Sequence, residues 1–331
     1  MDSSKTFEKN SLRFNPVKST RMRAAVIVSP GKIEFDQIPI PTPGENEVLV
    51  RIEGCGICGS DFPVWEGRSW FNYPAQPGAP GHEGFGYIAG VGNKVDNLNI
   101  GDRIAMLSYH AYAEYDIADA AQVVKLPDYL SAMPFPGEPL GCAMNIFNRS
   151  QISKSDIVAV VGAGFIGNLL IQLSKSAGAK VIALSRRESS LKMAFESGAD
   201  YIIPLDEHQK VIQKINEITN FQGCTSVIEA TGKQWPLDIA GEITGIRGRL
   251  IIAGFHQDGM RQVNLQNWNW KGLDVINAHE RDPHVYINGI KQAMEAVKNQ
   301  HINPLKLFTH QYGFEQINTA FQEMASGKTV F

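Results

Sequence analysis

The spacing of apolar and polar positions changes once along this chain, near Pro139. Before that point the apolar residues come in short runs. Residues 24–28 (Ala-Ala-Val-Ile-Val) form one run, and residues 47–53, where Val48 and Val50 alternate with polar neighbours, form another; both predict strands. Pro39, Pro41 and Pro43 alternate between them and predict an extended connector rather than a helix. The glycine-rich apolar stretch 84–91 and residues 103–106 predict further short strands. This half reads as a small, irregular, mostly antiparallel β domain.

After Pro139 the period changes. Residues 157–161 are continuously apolar, as a strand buried on both faces must be. Ile166, Leu169, Leu170, Leu173 and Ala177 then share one helical face. A second strand is predicted over 180–184 and a second helix over 191–196, with Gly198 as its stop. The helix predicted over 207–218 buries Val211, Ile212, Ile215 and Ile218, and further apolar strands lie at 226–228, 249–253 and 273–276. Strands alternating with helices predict an α/β fold with a parallel, doubly wound sheet. Two amphipathic helices close the chain, marked by Ile287, Ile290, Met294 and Val297 and by Ile317, Phe321 and Met324.

Composition limits the function classes. A length of 331 residues is long for one core, so two domains are expected. The formal net charge of -3, without a long run of one sign, argues against nucleic-acid and anionic-membrane partners. No stretch is apolar over the ~18 residues that a membrane span needs. Residues 1–21 are polar, lack the apolar centre of a secretory signal, and read as a flexible leader. Four scattered cysteines make no disulfide framework, which points to the reducing cytoplasm.

Scarce cysteine makes Gly54-Cys55-Gly56-Ile57-Cys58-Gly59-Ser60-Asp61 conspicuous. From the residues alone, Cys55 and Cys58 are half of a zinc knuckle, a redox couple, or one reactive thiol with a buried neighbour. Farther on, Gly162-Ala163-Gly164-Phe165-Ile166-Gly167 follows a buried strand and opens a helix, the setting in which G-x-G-x-x-G cradles a dinucleotide pyrophosphate. At the end of the second strand an NAD site usually carries an acidic residue; here Leu184-Ser185-Arg186-Arg187 offers two guanidiniums for a 2′-phosphate, which favours NADP over NAD.

Cys58-Gly59-Ser60-Asp61, Gly81-His82-Glu83-Gly84, Gly101-Asp102-Arg103 and Glu138-Pro139-Leu140-Gly141-Cys142, in this order ahead of a dinucleotide fold, resemble the zinc-dependent medium-chain dehydrogenase/reductase family of alcohol, sorbitol and threonine dehydrogenases. The resemblance runs from about Met22 to the C-terminus. It implies a GroES-like β-barrel catalytic domain over 22–143, completed by 277–331, and a Rossmann domain over 144–276, with the active site in the cleft between them. It implies a catalytic Zn2+ held by Cys58, His82 and Cys142, with Glu83 and Glu138 near the metal and both competing with Cys142 for the third place. It also implies Ser60 as the group that receives the substrate proton, and Asp61 as the carboxylate that orients His82. Residues 161–166 and Thr231 would line the cofactor, and Phe62, Trp65, Trp70, Tyr109, His110 and Tyr112 would line the substrate pocket.

The expected reaction is hydride transfer between NADP(H), or NAD(H), and a small-molecule secondary alcohol or ketone, with a polyol, sugar or cyclitol favoured. A homo-dimer or homo-tetramer is also implied. The alternative is a nucleotide-binding sensor without turnover. Two departures from the family pattern stand out. Pro63 occupies the place of a proton-passing His, and no cysteine lies between Cys58 and Cys142 to build a structural zinc lobe.

Overall fold

The computed structural model describes residues 19–256 and 258–327. Most of the expected leader lies outside the described residues, and the first strand already begins at Arg21. The chain divides into two compact units: residues up to Glu138 together with Tyr312–Ser326, and Pro139–Gln311.

The first unit is built on antiparallel strands. β1 (Arg21–Ser29) and β2 (Lys32–Pro39) form a two-stranded ribbon. β3 (Glu47–Gly56), β4 (Glu83–Val91), β5 (Arg103–Met106), β6 (Tyr115–Asp119) and β7 (Val123–Lys125) form a five-stranded sheet in the order β6-β3-β4-β5-β7. Of the prolines expected to carry the whole connector, Pro39 ends β2 and only Pro41 and Pro43 follow it; alternation alone did not separate this strand because most of its side chains face solvent. Val48, Val50, Ile88, Ile104, Met106 and Ala118 pack as the core of the larger sheet. The Gly-Asp-Arg motif serves this core. Arg103, only 8% exposed, donates to both carboxylate oxygens of Glu53 and to the Leu130 and Met133 carbonyls. A buried guanidinium is tolerable only when its donors are matched in this way.

A short helix α1 (Phe62–Glu66) follows β3, and α2 (Gly137–Ser150) carries the Glu-Pro-Leu-Gly-Cys motif. Pro139 lies in the first turn of α2, where its missing N–H has no helical partner to lose.

The second unit alternates strands and helices: β8 (Ile157–Val161), α3 (Phe165–Ser176), β9 (Lys180–Ser185), α4 (Glu188–Glu196), β10 (Tyr201–Pro204), α5 (His208–Thr219), β11 (Cys224–Glu229), α6 (Gln234–Ile243), β12 (Thr244–Ile252), α7 (Leu265–Lys271) and β13 (Asp274–Asn277). The six strands are parallel, in the order β10-β9-β8-β11-β12-β13. Successive residues of β8 feed opposite faces: Val158 and Val160 join one core, Ala159 and Val161 the other. That is why the strand reads as an unbroken apolar run. The order reverses between β8 and β11, the switch point at which such sheets bind ligands beyond their C-terminal ends.

The last helices divide. α8 (Pro283–Lys298) stays with the second unit, whereas α9 (Ile317–Ser326) packs in the first through Ile317 and Phe321. The expectation that 277–331 as a whole completes the first domain is therefore corrected to Tyr312–Ser326. The reason is a close backbone approach. A Cβ at Gly289 of α8 would stand 2.6 Å from the Gly141 carbonyl oxygen of α2, so the two helices meet through glycine. Among the described residues no helix is long and apolar enough to cross a membrane.

Candidate active site

Register brings the donor side chains together. A bulge between Ile52 and Gly54 shifts the β3–β4 pairing, after which Gly56 faces Glu83. A Cβ at Gly56 would lie 1.8 Å from Glu83 Oε2, so the carboxylate occupies the space that a larger residue would fill. The turn after β3 delivers Cys58, and His82 directly precedes β4. One donor atom each from Cys58, His82 and Glu83 falls within a 4.8 Å group.

Asp61 supports this group from behind. Its Oδ1 lies 3.1 Å from His82 Nδ1, which is also 2.9 Å from the Pro80 carbonyl oxygen. Two acceptors at Nδ1 fix the proton there and leave Nε2 as the ligating nitrogen. The other Asp61 oxygen accepts from the Cys58 amide at 3.2 Å.

Electrostatics mark the same place. Burial pushes the Cys58 thiol up to about 11, with Glu83 adding to the shift and the His82 hydrogen bond opposing it. Burial, and then Glu138, push the Glu83 carboxyl up to about 8. Burial works against a charged His82, but Asp61 and Cys58 outweigh it and hold the imidazole above its ordinary value. A thiol and a carboxylate whose anions repel each other in a buried site, beside an imidazole, are a fitting donor set for a divalent cation, and the mixture of S, N and O suits zinc.

Ser60 is half-buried in the turn after Cys58, and its hydroxyl has no partner among the described residues. Pro63 lies in the first turn of α1. Cys55 and Cys58 are both free thiols, and Cys55 packs against both neighbouring cores. Cys142 lies on α2 in the second unit, while Glu138 ends the first stretch of the first. Of the aromatic candidates, Trp70 and Tyr109 are exposed, and Trp65 stacks on Phe321. Tyr112 is buried.

In the second unit the glycine-rich turn opens α3. Gly162 has a φ of +109°, and a Cβ on Gly167 would stand 2.0 Å from the Gly162 carbonyl oxygen. Gly164, the N-cap, faces open space where a Cβ would project, and no side chain caps the first turn. Uncapped amides around an open cradle fit a pyrophosphate. Thr231 lies against this turn, its Cγ2 2.6 Å from where a Gly162 Cβ would be. At the end of β9 Ser185 is buried; beyond it Arg186 is exposed, and Arg187 has its pKa lowered by partial burial and by Arg186.

Sequence reasoning missed Glu229. This fully buried carboxylate at the end of β11 accepts from the Thr231 amide at 2.7 Å, the Thr231 hydroxyl at 2.5 Å and the Gly232 amide at 3.0 Å. It also lies 2.9 Å from His256 Nε2, whose Nδ1 accepts from Arg261 at 3.0 Å. The available signal was a charged residue closing an apolar strand just before Ala230-Thr231-Gly232.

Residues 44–128 match the alcohol dehydrogenase GroES-like domain, and residues 166–298 match the zinc-binding dehydrogenase domain. The sorbitol dehydrogenase of Halalkalibacterium halodurans is 27% identical, over 91% of this chain and 94% of its own length. Among solved structures, 2R,3R-butanediol dehydrogenase from Bacillus subtilis superposes with a TM-score of 0.80 at 25% identity, covering 93% of this chain and 97% of that one. A short chain alcohol dehydrogenase of Escherichia coli CFT073, solved with NADH, gives 0.80 at 25% identity, covering 93% and 96%. The chain belongs to the zinc-dependent medium-chain dehydrogenase/reductase family.

Proposed function

We propose that the chain is a zinc-dependent dehydrogenase that moves a hydride between NADP(H) and a secondary alcohol of the polyol, sugar or cyclitol class. The observation that carries this reading is the cluster of Cys58, His82 and Glu83, with Asp61 fixing the His82 ring. Cys58, His82 and Glu83 would hold the zinc. The sequence expectation gave the third place to Cys142, and Glu83 is proposed in its stead because it already lies among the other two donors. When bound, zinc polarises an alcohol or carbonyl oxygen as a Lewis acid, and the nicotinamide exchanges the hydride.

The chain's own residues do the rest. Ser60 Oγ, two residues after Cys58 and without a hydrogen-bond partner among the described residues, would take the hydroxyl proton during alcohol oxidation while passing its own proton to solvent water, and the same exchange would run backwards during reduction. Buried Asp61 keeps His82 in one tautomer. The amides at Gly164 and the start of α3 receive the pyrophosphate, and Glu229 holds Thr231 against the same turn. The sorbitol and butanediol dehydrogenases among the relatives support a polyol-like substrate. A homo-dimer or homo-tetramer belongs to the same reading, since β13 leaves one sheet edge unpaired among the described residues.

The test is to purify the protein, measure zinc per chain, and assay a panel of polyols and sugars with both cofactors. About one zinc per chain and oxidation of at least one polyol are expected. Protein that holds no metal and oxidises no alcohol overturns the reading.

Cofactor choice has its own test. Arg186 is exposed beside Arg187, and a 2′-phosphate pairing with it gains a charge-assisted hydrogen bond of about 1.5–3 kcal/mol. Arg186→Ala is expected to lower kcat/KM for NADP by roughly 10- to 100-fold and to leave NAD nearly unchanged. Equal losses with both cofactors would show that Arg186 does not read the phosphate.

A further inference from the structure

Tyr112 touches the residue that orients the metal group, and it does so from the core rather than from a substrate pocket. Its hydroxyl donates to Asp61 Oδ2 at 2.5 Å and also lies 3.3 Å from the Gly56 carbonyl oxygen. Asp61 is 1% exposed, so protein donors must take the place of water around its carboxylate. Those donors divide by oxygen. Tyr112 and the Cys58 amide occupy Oδ2, while Oδ1 faces the His82 ring. With Oδ2 held at two points, the carboxylate cannot turn away from the imidazole without breaking a buried hydrogen bond.

The tyrosine is itself held in place. Its amide donates to the Gly78 carbonyl at 3.1 Å, and its carbonyl accepts from the Ala25 amide at 2.8 Å. Phe321 of α9 meets its ring edge-on, with centroids 5.9 Å apart at 84°, and Phe321 in turn stacks on Trp65. Burial, reinforced by Asp61, raises the phenol's pKa well above its ordinary value, so the hydroxyl remains a donor.

We propose that Tyr112 is a positioning residue for the metal: its hydroxyl fixes Asp61, which holds His82 with Nε2 turned toward Cys58. This rests on the zinc reading above. Without the hydroxyl, Asp61 gains rotational freedom and His82 loses its single orientation, which weakens metal binding as loss of other outer partners of ligating histidines does.

The experiment measures zinc affinity by competition with a chromogenic chelator for wild type, Tyr112→Phe, Asp61→Asn and the double variant, each confirmed folded by circular dichroism. Tyr112→Phe keeps the ring and its packing on Phe321. It is expected to weaken zinc binding by roughly 10-fold or more, and to have little further effect when Asp61 is already Asn. A core-filling tyrosine predicts zinc affinity within about twofold of wild type in Tyr112→Phe, and that result overturns the proposal. Losses that simply multiply in the double variant also overturn it, because Tyr112 would then not act through Asp61. Phe321→Leu, which loosens the ring's seat but keeps the hydroxyl, serves if Tyr112→Phe does not fold; an intermediate loss of zinc affinity supports the proposal and an unchanged affinity overturns it. Wild-type protein that binds no zinc overturns the metal reading itself and this inference with it.

Discussion

Alanine at Glu83 is expected to strip zinc from the protein and to lower kcat/KM for alcohol oxidation by at least about 10³-fold, whereas Cys142→Ala keeps about one zinc per chain. Glu83, Cys58 and His82 present their donor atoms within one 4.8 Å group. Three protein ligands leave a tetrahedral ion one position for the substrate oxygen, and a fourth protein donor would close it. The rate loss follows from losing the Lewis acid, which contributes several kcal/mol to stabilising charge on the reacting oxygen. Zinc analysis of the purified variants reads the first half of this result and steady-state kinetics the second. If Cys142→Ala lost the metal and Glu83→Ala kept it, the third ligand would be the thiol and the carboxylate a neighbour.

Gly167→Ala is expected to abolish measurable dinucleotide binding and to destabilise the fold as well. The new Cβ would stand 2.0 Å from the Gly162 carbonyl oxygen and 3.0 Å from its carbon. Those are backbone atoms, which no rotamer change can move aside. Either α3 shifts away from β8 or the turn flattens, at a cost of about 1–3 kcal/mol. Both movements disperse the amides that face the pyrophosphate, so NADPH affinity is expected to fall by roughly 100-fold or more.

The matched control is Gly164→Ala. Its Cβ meets nothing within 4 Å of the protein and its backbone is extended, so the fold should accept it. Only the bound pyrophosphate would collide with that methyl group. Fluorescence titration with NADPH and thermal melting separate the two: Gly167→Ala loses both binding and stability, and Gly164→Ala loses binding alone. Full NADPH affinity in Gly164→Ala would place the cofactor elsewhere.

The second unit was legible in sequence because its signals are local. A strand buried on both faces writes itself as consecutive apolar residues, as Ile157–Val161 does, and the helices between strands keep a 3.6-residue period. The first unit was legible only in part. β2 is mostly solvent-exposed and β7 has three residues, too few to show a period. α2 was hidden behind Pro139, which reads as a breaker although the first helical turn accepts it.

At the site, Cys58, Ser60, Asp61 and His82 could be singled out because each lies in a short motif. Glu83 lies in the same motif as His82, but its choice over Cys142 depends on a strand register set by a bulge, and the Tyr112–Asp61 hydrogen bond joins segments far apart in sequence. Such pairings exist only after folding, so no local pattern announces them. Glu229 was overlooked for a related reason: a buried carboxylate is intelligible only once its four partners are in view.

The position of α9 sets an order of assembly during synthesis. The first unit is built from residues up to Glu138 and lacks Phe321 until Pro139–Gln311 of the second has been made. At roughly 5–20 residues per second, the ring of Tyr112 leaves the ribosome about 10–40 s before the Phe321 ring that seats it. Through that interval Cys58 and His82 belong to an incomplete unit. Metal capture with full affinity thus waits for a helix that contributes no ligand.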